Sequence, residues 1–211
     1  IRHGGPFYMP VDPTAYVNSL LPQFSATDMD YLHGRGLGLG DEYTEALSSP
    51  VTVHGVPAGS WFSNREVAFS VTGPSALVSY LEAQVIWIRF RIQVATLAKK
   101  SPNQLAQMLG TATCERERDI ILESLDAAGV VPNFDIKIDT KGYFEHIKNR
   151  AETLLEIMGD PARAFEAGMR AASCAEQHLI AVEACKSAGF ISTSNVEAAR
   201  VLNINAGGTT G

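Results

Sequence analysis

Apolar and polar side chains alternate between residues 51 and 72: Val51, Val53 and Gly55 against Thr52 and His54, then Val67, Phe69 and Val71 against Ser70 and Thr72. Pro57, Ala58 and Gly59 make a turn between the two runs. A period of two places alternate side chains on opposite faces of a strand, so the pattern predicts a small antiparallel sheet. His54 falls on its polar side. At Gly73-Pro74 the period changes. Leu77, Leu81, Val85, Ile88, Ile92 and Ala95 recur at three and four, which predicts one long helix with Pro74 at its first position and a single stripe packed on the sheet. Glu82, Trp87 and Gln93 lie off that stripe.

The flanking regions are more broken. Gly4, Gly5, Pro6, Pro10 and Pro13 interrupt the first residues, read as a strand remnant entering a loop, in which Arg2 and His3 are surface residues. Short helices are predicted over 14–24 and from Thr27 to Gly34. The glycines at 34, 36, 38 and 40 read as a linker rather than a phosphate loop, since no strand feeds them and no helical lysine follows. Between 101 and 161 three helices are expected, over 104–109, 115–128 and 144–158, the last two ending at Gly129 and Gly159. Residues 135–140 read as an extended linker strand. The run Glu115-Arg116-Glu117-Arg118-Asp119 is a solvated face of alternating sign.

The final third alternates quickly. A short apolar segment, 165–170, finishes in Gly168-Met169-Arg170. Ser173 and Glu176 have capping-box spacing ahead of a helix striped by Ala175, Leu179, Val182 and Cys185 and stopped at Gly189. Phe190 and Ile191 then give way to Ser192, Thr193, Ser194 and Asn195. Ser194 with Glu197 has the spacing of a second box, so Ser194 is the expected N-cap of a helix over 196–202. A last strand over 202–206 runs into Gly207, Gly208, Thr209, Thr210 and Gly211. Strand, helix, strand, helix, strand implies tandem βαβ units with parallel strands, in an open sheet or a barrel. Ligands of such folds sit at the carboxyl ends of the strands. Those ends carry Arg170, Ser192 to Asn195, and Gly207 to Thr210, where free N–H groups and hydroxyls suit an anion.

Composition narrows the function classes. In 211 residues, 45% are hydrophobic and 19% charged, as expected of a folded soluble chain. The net charge of −6 argues against a nucleic-acid partner, which demands a basic face. An anionic substrate therefore needs local positive charge. Cys114, Cys174 and Cys185 are odd in number and lack Cys-x-x-Cys spacing, so neither a disulfide framework nor a zinc site is expected, and a reducing cytoplasm is the simplest home. No signal peptide or bilayer span is read, since the longest helical stretch carries Glu82, Arg89 and Arg91. Both ends read as cut.

Two blocks carry a family resemblance. VPAGSWFSNREVAFSVTGPSALVSYLEAQVIWIRFRIQVAT, followed by EAGMR, GFISTSN and GGTTG in that order, resembles the nicotinate phosphoribosyltransferase family, the type II phosphoribosyltransferases that include the nicotinamide enzyme. The first block is similar to the family's strand pair and long helix. The later three resemble its Glu-Phe-Gly-x-Arg strand, its Gly-x-x-Gly-Thr-Ser-Asn strand end and its Gly-Thr-x-x-His turn. About half the chain is covered.

The resemblance implies an α/β protein in three parts: an α+β domain over 1–100, a helical insertion over 101–161, and over 162–211 the start of an irregular parallel α/β barrel, truncated. It implies formation of nicotinate mononucleotide from nicotinate and phosphoribosyl pyrophosphate in NAD salvage, with Mg2+ on the pyrophosphate and ATP as co-substrate. Arg170 matches the family arginine beside the pyridine carboxyl group. Ser194 stands where the nicotinamide enzymes carry an aspartate, and a serine there does not repel a carboxylate. Thr193 and Thr209 match motif threonines, and Ser192, Asn195 and Thr210 line the same strand ends. The family's phosphorylated histidine falls immediately after Gly211. A homodimer with a shared active site and a companion fragment supplying the rest of the barrel are the implied partners. Ala167 stands where the family has the aromatic that stacks on the pyridine, with Phe165 as a substitute, and Ala171 stands where it has a second arginine. A nicotinamide phosphoribosyltransferase, or a non-catalytic pseudoenzyme or dimerising scaffold of the same fold, remains open.

Overall fold

A computed structural model describes residues 5–36 and 40–207, and the chain divides into two units, Ile1–Ile92 and Gln93–Gly211. It is a mixed α/β protein, 56% helical over the described residues, with small sheets.

In the first unit Phe7 and Tyr8 form β1 (Phe7–Tyr8), and the chain then enters α1 (Pro13–Asn18). Asp12 caps α1 by accepting from the Ala15 N–H at 2.8 Å, with Pro13 next, where a missing N–H costs nothing. Ser25 and Asp28 close a capping box on α2 (Ala26–Gly34), and α3 (Asp41–Leu47) starts from Gly40. Of the four glycines read as a linker, Gly38 lies outside the described residues. The period-two stretch gives β2 (Thr52–Gly55), β3 (Trp61–Phe62) and β4 (Phe69–Thr72). β2 and β4 pair antiparallel with Val53 opposite Val71, as the alternation requires, while β3 pairs with β1. Exposed His54 lies on the polar side.

The helix after Gly73-Pro74 departs from expectation twice. Pro74 is the N-cap of α4 (Ser75–Val85) rather than its first residue. What reads as one helix is two, α4 and α5 (Ile88–Lys100). Across the break the bonds tighten to three-residue spacing, Trp87 N–H to Gln84 O and Arg89 N–H to Ile86 O, where Val85, Ile86, Trp87 and Ile88 form a run of weak helix formers. The apolar stripe survives. Leu77 and Leu81 pack with Val17, Leu47, Val53 and Val71, and Ile88 and Ile92 with Phe7, Met9 and Phe62. Burying each large side chain contributes about 2 kcal/mol.

The second unit contains α6 (Leu105–Leu109), β5 (Thr111–Ala112), α7 (Glu115–Ala127), β6 (Lys137–Ile138) and α8 (Thr140–Met158), then α9 (Ala175–Ala188), β7 (Ser192–Thr193), α10 (Val196–Leu202) and β8 (Asn205–Ala206). Residues 135–140 do more than link: β6 pairs parallel with β5, so β5, α7 and β6 form a βαβ unit. β7, α10 and β8 form another, with Ser192 opposite Asn205 and Thr193 opposite Ala206. α8 packs along α9, and Ala151, Leu155 and Met158 meet Phe190 and Cys185. Gly189, at φ +115°, stops α9 in a conformation closed to most side chains. Among the described residues, no helix is long and apolar enough to cross a membrane.

Candidate functional site

Three extended segments lie parallel and side by side in the last fifty residues. Glu166 bridges to Thr193, its N–H donating to Ser192 O at 3.0 Å while Ser194 N–H donates to Glu166 O at 2.7 Å. On the other side of β7, Asn205 N–H donates to Ile191 O at 3.0 Å and Gly207 N–H to Thr193 O at 2.9 Å. The expected strand over 165–170 is reduced to this single bridge. Beyond it Gly168 N–H turns back to the Glu166 carboxylate, and Met169–Ala171 closes a 3-10 turn.

A buried polar network fastens these segments. The Glu166 carboxylate accepts from Gly168 N–H, from Thr193 Oγ1 at 2.7 Å and from His178 Nε2 at 3.1 Å. Thr193 in turn accepts from Asn195 N–H at 3.1 Å. The Asn195 side chain fixes the histidine tautomer. Its Oδ1 accepts from Ala198 N–H at 3.1 Å as the N-cap of α10, so its Nδ2 is the donor facing His178 Nδ1 at 3.0 Å. Nδ1 therefore accepts, and the imidazole proton sits on Nε2, aimed at Glu166. Exposure is 8% for Glu166, 1% for His178 and 0% for Thr193, so these bonds are made away from water. Burial alone raises the Glu166 carboxyl, but the donors from His178, Thr193 and Gly168 outweigh it and hold the group below the usual carboxylate range.

Both expected N-caps shift by one residue. Asn195, not Ser194, caps α10, because its side chain reaches the Ala198 N–H. Cys174, not Ser173, caps α9, and Gln177 rather than Glu176 closes the box by accepting from Ser173 N–H at 2.8 Å. The α9 stripe turns accordingly: His178, Val182 and Ala184 are buried, whereas Ala175 is exposed.

Of the residues expected at the site, Ser192, Thr193 and Asn195 are drawn together by β7 and the network. Ser194 is exposed just past the strand end, and Arg170 is exposed in the 3-10 turn four residues beyond Glu166. Thr209 and Thr210 lie outside the described residues. Glu166 and His178 are the two buried site residues that reading by period passes over. The signal for His178 is spacing: His178, Val182 and Cys185 recur at four and three on one face of α9, while Glu166 has none.

Gly168 has no room for a side chain. A Cβ there would stand 2.7 Å from Glu166 Oε1, an atom held by its other donors. Gly168→Ala should therefore cost roughly 1 to 2 kcal/mol, read from urea unfolding, although the φ of −85° is open to alanine.

A groove of about 620 Å³ runs beside the network, lined mainly by apolar residues including Ile147, Leu154, Ile157, Phe165 and Phe190, with Arg150 at its wall. Phe165, the substitute considered for ring stacking, belongs to this groove, which Arg170 and Ser192 to Asn195 do not line. Comparison with protein-family models, with curated proteins and with solved structures gives no match for this chain.

Proposed function

We propose that the chain is a nicotinate phosphoribosyltransferase or a portion of one, its residues 162–211 beginning an irregular parallel barrel, and that it acts in the cytoplasm as a homodimer. The observation that supports this reading best is the parallel order of the Glu166 segment, β7 and β8. Parallel segments end on the same edge, so the guanidinium-bearing turn of Arg170 and the Ser194-Asn195 corner follow neighbouring strand ends, where a small ligand of an α/β fold is received.

In this reading Arg170 holds the nicotinate carboxylate through a two-pronged guanidinium contact. Ser194 leaves the carboxylate unopposed, and Thr209 with Thr210 approaches the ribose or phosphate. The pyridine nitrogen forms a bond to the anomeric carbon of phosphoribosyl pyrophosphate as the bond to pyrophosphate breaks. The protein's part is positioning and the stabilisation of separated charge. Among the described residues, no three of His, Cys, Asp and Glu gather as a metal site. Magnesium in this scheme arrives on the pyrophosphate of the co-substrate, and ATP hydrolysis pulls the equilibrium. The network of Glu166, His178, Thr193 and Asn195 fixes the strand end from which Ser192 to Asn195 line the ring pocket.

The test is to incubate the protein with labelled nicotinate, phosphoribosyl pyrophosphate and magnesium, with and without ATP. Labelled nicotinate mononucleotide is the expected product, and its absence from the intact protein refutes the assignment. Ser194→Asp places a carboxylate against that of nicotinate. It should weaken nicotinate binding by roughly tenfold or more and shift preference toward nicotinamide, as measured by competition.

A further inference from the structure

The starts of α7 and α9 are built from two copies of one short pattern: Ala112-Thr113-Cys114-Glu115-Arg116-Glu117 and Ala172-Ser173-Cys174-Ala175-Glu176-Gln177. In each, an extended cysteine is the N-cap, and the side chain three residues on accepts from the N–H before the cysteine: Glu117 from Thr113 at 2.6 Å, Gln177 from Ser173 at 2.8 Å. The copies also hold each other. Gln177 Nε2 donates to Thr113 Oγ1 and to Glu117 Oε1, both at 3.0 Å, and Arg116 N–H donates to the Glu176 carboxylate at 3.1 Å. This interlock sets Cys114 Sγ 3.7 Å from Cys174 Sγ, sixty residues apart in sequence.

We propose that Cys114 and Cys174 are a dithiol site for small hydroperoxides, oxidised reversibly to a disulfide that joins the starts of α7 and α9. Each cysteine stands at the N-cap of a helix, and the positive end of a helix favours a thiolate. Cys174 Sγ takes N–H from Gln177 at 3.5 Å and lies 3.8 Å from the Ser173 hydroxyl. The hydrogen bond from Cys114 lowers the Cys174 thiol to about 7 against the opposing effect of burial, while that same contact and burial push Cys114 up. Cys174 is the nucleophile and Cys114 the resolving thiol. Exposures of 1% for Cys114 and 4% for Cys174 shut out a bulky disulfide, so the oxidant assigned to the site is a small peroxide. The sulfurs need to close from 3.7 Å to a bond of about 2.05 Å.

The Cys174 thiolate attacks one peroxide oxygen, the oxygen–oxygen bond breaks, and hydroxide leaves to become water on protonation. The sulfenic acid so formed is attacked by Cys114 sulfur, which loses its proton as the sulfenic hydroxyl departs as water. Two thiols and one hydrogen peroxide thus give a disulfide and two waters, and an added dithiol reverses the change. Cys185 is the internal control: burial and the Glu166 carboxylate push it up to about 11, and the thiol–thiol contact shown among the described residues joins Cys114 to Cys174 instead. The inference stands on the thiol geometry and does not depend on the phosphoribosyltransferase reading.

The test is to treat the reduced chain with stoichiometric hydrogen peroxide, alkylate, digest without reductant and weigh the peptides. A peptide joining Cys114 to Cys174, two hydrogens lighter than the sum of its parts, with Cys185 alkylated, is expected. Cys114→Ser should stop Cys174 at a sulfenic acid that dimedone traps. Alkylation of all three cysteines after peroxide, oxidation of Cys185 first, or Cys174 passing to sulfinic acid without a joined peptide overturns the proposal. If Cys114→Ser does not fold, the joined peptide of the unaltered chain decides alone.

Discussion

Glu166→Ala lowers stability by about 4 kcal/mol, a drop of roughly 10 °C or more in melting temperature, because it strands buried donors that have no water to turn to. Those donors are the Thr193 hydroxyl and His178 Nε2–H, and the N–H of exposed Gly168 loses its partner as well. Glu166→Gln, which keeps the shape, costs about 2 kcal/mol. Its NH2 must face a group that now donates, and Thr193 already accepts from Asn195 N–H, so its proton has nowhere better to go. The carboxyl's lowered value in the folded chain sets the pH dependence. Stability from a carboxyl lowered on folding is complete above its unfolded value, about 4.3, and is lost as pH falls through the folded value. Urea titrations at neutral pH and near pH 3 should therefore show the gap between the wild-type chain and Glu166→Gln narrowing on acidification. A gap that widens, or a Glu166→Ala chain as stable as wild type, contradicts the assigned hydrogen bonds.

Arg170→Ala is expected to weaken nicotinate binding about 100-fold, the loss of a charge-assisted two-pronged contact worth roughly 2 to 3 kcal/mol, with little change in melting temperature. The reason for the separation is location. Arg170 is exposed in a 3-10 turn, whereas Glu166, which holds the start of the turn through Gly168 N–H, is buried. Arg170→Lys keeps the charge but loses the planar fork, so it should recover only part of the affinity. Calorimetric titration with nicotinate measures both. Loss of affinity together with a large loss of stability would place Arg170 among the structural residues instead.

The sequence was most readable where a pattern runs long enough to show its period. β2 and β4 alternate over four residues each, and α7 and α8 extend for 13 and 19, so their existence could be read directly. β5 spans only Thr111–Ala112, too short for any period, so in the sequence its βαβ unit reads as helical insertion. The break between α4 and α5 was hidden because the apolar stripe continues across it. At the site, Ser192 to Asn195 stood out as polar residues ending an apolar run. Glu166 did not, since an acid in a short segment reads as surface until its three donors are seen, and His178 was masked by a stripe placed one residue off. N-caps slipped for the same local reason. Serine is a good cap by type, but at both corners the next residue, Cys174 or Asn195, has the extended backbone that aims its side chain at the helix N–H groups.

The most direct test of the central reading, that a cation and a polar corner at neighbouring strand ends receive one small acid, is an amide chemical-shift titration with nicotinate. Saturable shifts at Ser194, Asn195 and Arg170, weaker with nicotinamide and lost in Arg170→Ala, are the predicted result. Shifts confined to the α8 groove at Leu154 and Phe165, or affinity unchanged by Arg170→Ala, would contradict it.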